Sequence, residues 1–297
     1  RMHDPRVGRF FAVDPLTAKY PQWGPYSFSG NIVISAKELE GLEPYFLTKE
    51  NKLVDGKGYS DQEITSLTIT EGARPLINII DHPTVRDEFV SSYNGSGTFR
   101  KQVGQADVYG FVDGITTTED NVTSANAVHE NQGSEVVFVS GLIIIGLDAR
   151  NGGAGQEGFI LARMAWELTN TSNYVNGQYA EIVNRVINDQ SYTARQYVHD
   201  ALEIESYGRV NAIISQGEVH KSKYGKGWTF EAEEGQDHLK QFDGKSLFWM
   251  RTHKKEIQKA EHANLLRGEG SAQGDSLYDH YEQEYDRWRL GSEDVMD

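Results

Sequence analysis

Glu135-Val136-Val137-Phe138-Val139-Ser140-Gly141-Leu142-Ile143-Ile144-Ile145 is the stretch on which the fold turns. It is rich in β-branched residues, which fit a pleated, buried surface. It falls short of the ~18–20 apolar residues that cross a bilayer, and Ser140-Gly141 interrupts it. The run therefore predicts a buried strand pair, or one long bent strand, over residues 135–147. Asn151-Gly152-Gly153-Ala154-Gly155 follows as a flexible turn. It has neither the GxGxxG spacing nor the lysine of a phosphate loop, so it reads as a connection. Beyond it, Phe159-Ile160-Leu161-Ala162-Arg163-Met164-Ala165-Trp166-Glu167-Leu168-Thr169-Asn170 has the spacing of a helix.

The pattern outward from this centre is mixed. Upstream, Ile64–Thr70 alternates and predicts a strand. Pro75 to Tyr93 places apolar residues at helical spacing and is broken at Pro83, which predicts two short helices. Val108–Val112 predicts a strand, and the Thr- and Asn-rich residues 114–134 a loop. Downstream, helices are predicted from Gly158 to Thr169, Tyr179 to Asp189 and Tyr192 to Ile214. A hairpin-like stretch around Lys221–Trp228 comes next, then helices near 246–266 and 277–289. The class is α+β, with a small sheet and several helices.

Composition narrows the chemistry. The 297 residues carry 29 basic and 44 acidic side chains, a net charge of −15. That sign repels phosphate backbones, and no His–Asn cluster of a nuclease is evident, so no nucleic-acid partner is expected. There is no cysteine, which excludes thiol proteases, cysteine-ligated zinc sites and disulfide scaffolds. No transmembrane segment is expected. Four of the seven prolines fall within the first 25 residues, which marks residues 1–44 as a segment unlike the remaining 45–297.

That segment reads Met2-His3-Asp4-Pro5-Arg6-Val7-Gly8-Arg9-Phe10-Phe11-Ala12-Val13-Asp14-Pro15-Leu16. It continues through the aromatic, turn-rich Tyr20–Asn31 to Glu38-Leu39-Glu40-Gly41-Leu42-Glu43-Pro44. It lacks the apolar core of a signal peptide. The spaced elements resemble, in order, the C-terminal end of an RHS/YD-repeat-associated core, in the variant with ELEGLE in place of DPxGL. The resemblance implies a β-strand shell from the parent protein around a variable C-terminal effector, often a secreted bacterial toxin acting in a target cell and held by a cognate immunity protein. It also implies an aspartyl autoprotease, with Asp14 at the first catalytic position. Glu38 stands where the second aspartate is usual, one methylene longer than the geometry of a shared proton asks. On the residues alone, Asp4 and Asp14 cap turns.

The central helix carries a second resemblance. Met164-Ala165-Trp166-Glu167-Leu168-Thr169-Asn170 is similar to the active-site helix of zincin metallopeptidase toxins, with Trp166 and Asn170 in place of the two imidazoles and Glu167 at the general-base position. Glu203-Ile204-Glu205-Ser206-Tyr207-Gly208 resembles the helix that brings an acidic third ligand. Glu261-His262-Ala263-Asn264-Leu265-Leu266-Arg267-Gly268-Glu269-Gly270, followed by Tyr278, resembles the tail of such toxins. The resemblance implies zinc, with Glu203 and Glu205 as remaining acidic ligands. Indole nitrogen has no free lone pair, however, and an amide oxygen is a poor substitute for imidazole. The expectation is no cofactor, or a weakly bound divalent metal.

Plainer readings stand beside these. Arg163 precedes Glu167 by one helical turn and predicts a surface ion pair. His199 and Glu203, also one turn apart, can bind a metal together or act as an acid/base pair, or can lie on a solvated face with Arg195. Three functions follow: a toxin effector on a metal-deficient zincin-like scaffold, a non-enzymatic binding module on the same scaffold, and, last, a nuclease toxin.

Overall fold

The computed structural model describes residues 3–4, 9–10, 45–118, 123–132, 134–146, 159–225, 227–233, 235–268, 271–272 and 275–290. The chain falls into two compact units, residues 1–44 with Asp55–Gly58, and residues 45–54 with 59–297. In the first, β1 (His3–Asp4) pairs antiparallel with β2 (Arg9–Phe10), His3 opposite Phe10. Asp14, Glu38 and the Gly-rich turn at 151–155 lie outside the described residues.

The second unit is mixed α+β. β3 (Tyr45–Leu47), β4 (Leu53–Asp55) and β5 (Arg74–Pro75) form a small sheet in the order β4-β3-β5. Between its strands runs α1 (Asp61–Thr70), so the expected strand over 64–70 is helical. Its start explains why. Ser60 accepts the Glu63 N–H and Glu63 reaches back to the Ser60 N–H at 2.7 Å, a capping box that starts a helix whatever the alternation behind it.

A 3-10 turn at Leu76–Asn78 and α2 (Pro83–Gly95) flank the expected break at Pro83, which sits in the first turn where its missing N–H costs nothing. α3 (Gly97–Gln105) follows, capped by Ser96. The expected strand at 108–112 is a turn opened by Asp107 at φ 46°, and only Val112 belongs to β6 (Val112–Thr117).

The end of β6 and the whole of β7 (Ser124–Gln132) occupy much of the expected loop, and β8 (Glu135–Ile145) is the long strand of the opening motif. The sheet order is β6-β8-β7. β6 runs parallel to β8 from Val112/Gly141 to Thr117/Ile145, and β7 runs antiparallel from Ser124/Ile144 to Gln132/Glu135. β7 reads as polar because it is an edge strand, and of its side chains only Ala127 is buried.

α4 (Phe159–Val175), α5 (Gln178–Asn188) and α6 (Ala194–Tyr224) follow. α6 continues through the expected hairpin as far as Tyr224. Thr193 and Gln196 cap it reciprocally, and its ~45 Å length threads three cores. Ile115, Ile143, Leu161, Met164 and Phe99 build the first; Val183, Tyr197, Leu202 and Trp288 the second; Ile214, Phe242, Met250 and Ile257 the third. A 3-10 turn (Asp237–Phe242), α7 (Leu247–Thr252) and α8 (Lys254–Leu265) enclose the third core. β9 (Ser271–Ala272) and β10 (Asp275–Ser276) lead into α9 (Leu277–Leu290). Among the described residues no helix is long and apolar enough to cross a membrane.

Candidate functional site

Trp166 and Asn170 lie one turn apart on α4, so their side chains share a face. Both converge on one oxygen of Glu205, about three turns into α6 on its buried face. The Trp166 indole N–H donates to Glu205 Oε2 at 2.7 Å, and the Asn170 amide donates to the same atom at 3.0 Å. The other oxygen receives two phenols, Tyr281 of α9 at 2.6 Å and Tyr179 of α5 at 3.3 Å, whose hydroxyl oxygens are 2.9 Å apart. Four elements thus meet on one buried carboxylate.

Glu167 completes the cluster. It is only 7 % exposed, which corrects the expectation of a surface pair with Arg163. Asn170 donates to Glu167 Oε2 at 3.3 Å, so one amide bridges the two carboxylates. Burial pushes the Glu167 carboxyl well above its ordinary range, and the neighbouring Glu205 adds to this. Arg163, Asn170 and the Ala125 backbone of β7 pull the other way without overcoming it. Burial likewise raises Tyr179 and Tyr281 well above the usual phenol value, so both stay protonated donors.

The helices are shaped for this arrangement. A methyl group at Gly208 would lie 2.8 Å from the Trp166 ring, so the missing side chain is the seat of the indole. Arg209, the next residue, stands over the same ring at 4.7 Å from its centre. It also pairs with Glu261 of α8 at 3.4 Å, and Glu261 meets His238 Nε2 at 2.6 Å. Burial opposes the charge on Glu261, but Arg209 and then His238 outweigh it and hold the carboxyl below its ordinary value. The tail motif thus enters the fold as a buried ion pair. Tyr281 supplies one of the two phenols of the cluster, while Tyr278 is half-exposed.

The zinc implied by the resemblance does not fit this donor set. The atoms that Trp166 and Asn170 turn toward Glu205 are N–H donors, not lone pairs. The Asn170 Oδ1, at the other end of its amide, is buried without a hydrogen-bond partner. Among the described residues no three His, Asp or Glu side chains are grouped to hold a metal ion.

His199 and Glu203 stand apart from the cluster on the exposed face of α6. His199 Nδ1 is 3.3 Å from Asp200 Oδ1, and its ring lies edge-on to His262 at 4.7 Å. Burial holds the His262 imidazole below its ordinary value. Glu203 and Glu205, two residues apart, point to opposite sides of α6, so only Glu205 reaches Trp166 and Asn170. The roles of Tyr179, Tyr281 and Gly208 carried one sequence signal, the small residue in mid-helix, which marks a close approach.

The fold is therefore an α+β assembly built around a buried carboxylate cluster. No protein family, no curated protein and no solved structure matches the chain.

Proposed function

We propose that the chain is the C-terminal effector end of an RHS-type polymorphic toxin, with a zincin-like scaffold that holds no catalytic zinc and acts by binding a partner. One observation supports this reading above the rest. The side chains at both imidazole positions, Trp166 and Asn170, are present as a matched pair of donors on Glu205. A merely eroded site would leave the carboxylate with the full desolvation cost of an unpaired buried charge. Here Glu205 Oε2 faces the two N–H donors, and Oε1 faces the hydroxyls of Tyr281 and Tyr179. On this reading residues 1–44 belong to the carrier shell, and the natural partner of the remainder is a cognate immunity protein.

The test joins metal content to toxicity. The purified chain should carry far less than one zinc per molecule by elemental analysis. Trp166→His combined with Asn170→His should restore stoichiometric zinc, and adding Glu205→Gln should abolish it again. Expressed in a bacterial cytoplasm, the chain should be toxic, and Glu167→Ala or His199→Ala should leave that toxicity intact. Stoichiometric zinc in the unaltered chain, or toxicity relieved by either alanine, would refute the reading in favour of a peptidase.

A further inference from the structure

β8 has a strand edge that its sheet does not use. β7 pairs with β8 from Glu135 to Ile144, with one irregularity that leaves Val139 unpaired between Phe138 and Ser140, but β6 reaches only Gly141 to Ile145. On the β6 side, residues 135–140 have no strand partner among the described residues. At one point α5 imitates one. Asn184 Oδ1 accepts the Val136 N–H at 2.8 Å, and Asn184 Nδ2 donates to the Val136 carbonyl at 3.3 Å. These are the two bonds a neighbouring backbone would make. The same geometry shows which way the edge faces. Backbone groups alternate along a strand, so Phe138, two residues on, presents its N–H and carbonyl to the same side as Val136.

Next to Phe138, α5 offers no second amide. A cleft of 670 Å³ opens between strand and helix, with Gly177 and Ala180 among the residues that line it. Its walls include Phe138, Tyr174 and Val175, with Val175 38 % and the adjoining Val139 39 % exposed. Its rim carries Glu135, Glu181 and Asp189 against Arg185, and that guanidinium is already bound to Asp200 at 3.1 Å. The open lip is therefore acidic, on a chain whose net charge of −15 draws cations from a distance.

We propose that this cleft receives an extended, basic polypeptide segment that adds as a strand to the β8 edge at Phe138. The free backbone pair calls for a peptide rather than a compact ligand. The apolar walls accept every second side chain of an extended segment, and the acidic rim selects lysine or arginine for those between. The proposal rests on the sheet edge and the cleft, and it stands or falls independently of the effector reading.

The probe is a fluorescein-labelled peptide of alternating valine and lysine, titrated with the full chain and followed by anisotropy. Saturable binding is expected, weakened about tenfold or more by Glu135→Lys combined with Glu181→Lys, both exposed positions. The same peptide N-methylated at alternate residues loses the hydrogen bonds of one edge but keeps its charge, and its binding should fall by a similar factor. No binding of the unmodified peptide, equal binding of its methylated form, or equal binding of a valine–glutamate peptide would each overturn the proposal. Circular dichroism of the charge-reversed variant verifies that it is folded.

Discussion

Trp166 is the residue on which the cluster depends. It fills the space over Gly208, carries Arg209 on its face and spends its one N–H on Glu205. Trp166→Phe keeps most of the bulk and removes the donor, so Glu205 loses its closest N–H partner. The expected cost is about 1–3 kcal/mol, and Trp166→Ala should cost about 3–5 kcal/mol, both measured by urea denaturation. A Trp166→Phe variant as stable as the original would mean that the indole N–H contributes only packing. The spacing of Trp166, Glu167 and Asn170 could be read from the sequence, because a helix fixes which residues share a face. Their surroundings could not. Arg163 does act on Glu167 electrostatically, but whether that face is wet or buried depends on α6, whose nearest contributions come some 40 residues later.

At the level of elements, the close meeting of α4 and α6 is set by an absence, the missing Cβ of Gly208. Gly208→Ala keeps the helix and improves its local propensity, yet it drives a methyl into the indole at 2.8 Å. Overpacking should win, at about 1–3 kcal/mol. Thermal denaturation should show Gly208→Ala less stable than the parent, with the penalty reduced when Trp166→Leu is present. A stabilised alanine variant would mean that the helices part at no cost. Apolar periodicity revealed the long helices and β8, since those elements owe their existence to burial. It failed at α1 and β7 for opposite reasons. α1 is a largely exposed helix secured by the Ser60–Glu63 cap, and β7 is an edge strand secured by backbone pairing with β8. Neither device needs an apolar stripe.

Across the whole molecule, buried acids pull stability in opposite directions as pH changes. Glu167 has a raised carboxyl, so its contribution is complete below about pH 4, the unfolded value, and is lost as pH rises through its folded value. Glu261 is lowered, with burial overcome by Arg209 and His238. Glu218 is lowered too, with burial overcome by Ser96, Thr98 and Arg251. Both of these contribute above the unfolded value and lose that contribution as pH falls through their folded values. The melting temperature should therefore decline on both sides of a maximum. Glu167→Gln should raise it at about pH 8 while leaving the acid side unchanged, as calorimetry across the range would show. Identical curves for the variant and the parent would place no proton on Glu167.

Arg209 lies between two such centres, with the indole on one side and Glu261 on the other. It works as a single rivet through two plates. Its loss would uncouple the buried His238–Glu261 pair from the central indole at a stroke, since one side chain is the direct contact between them.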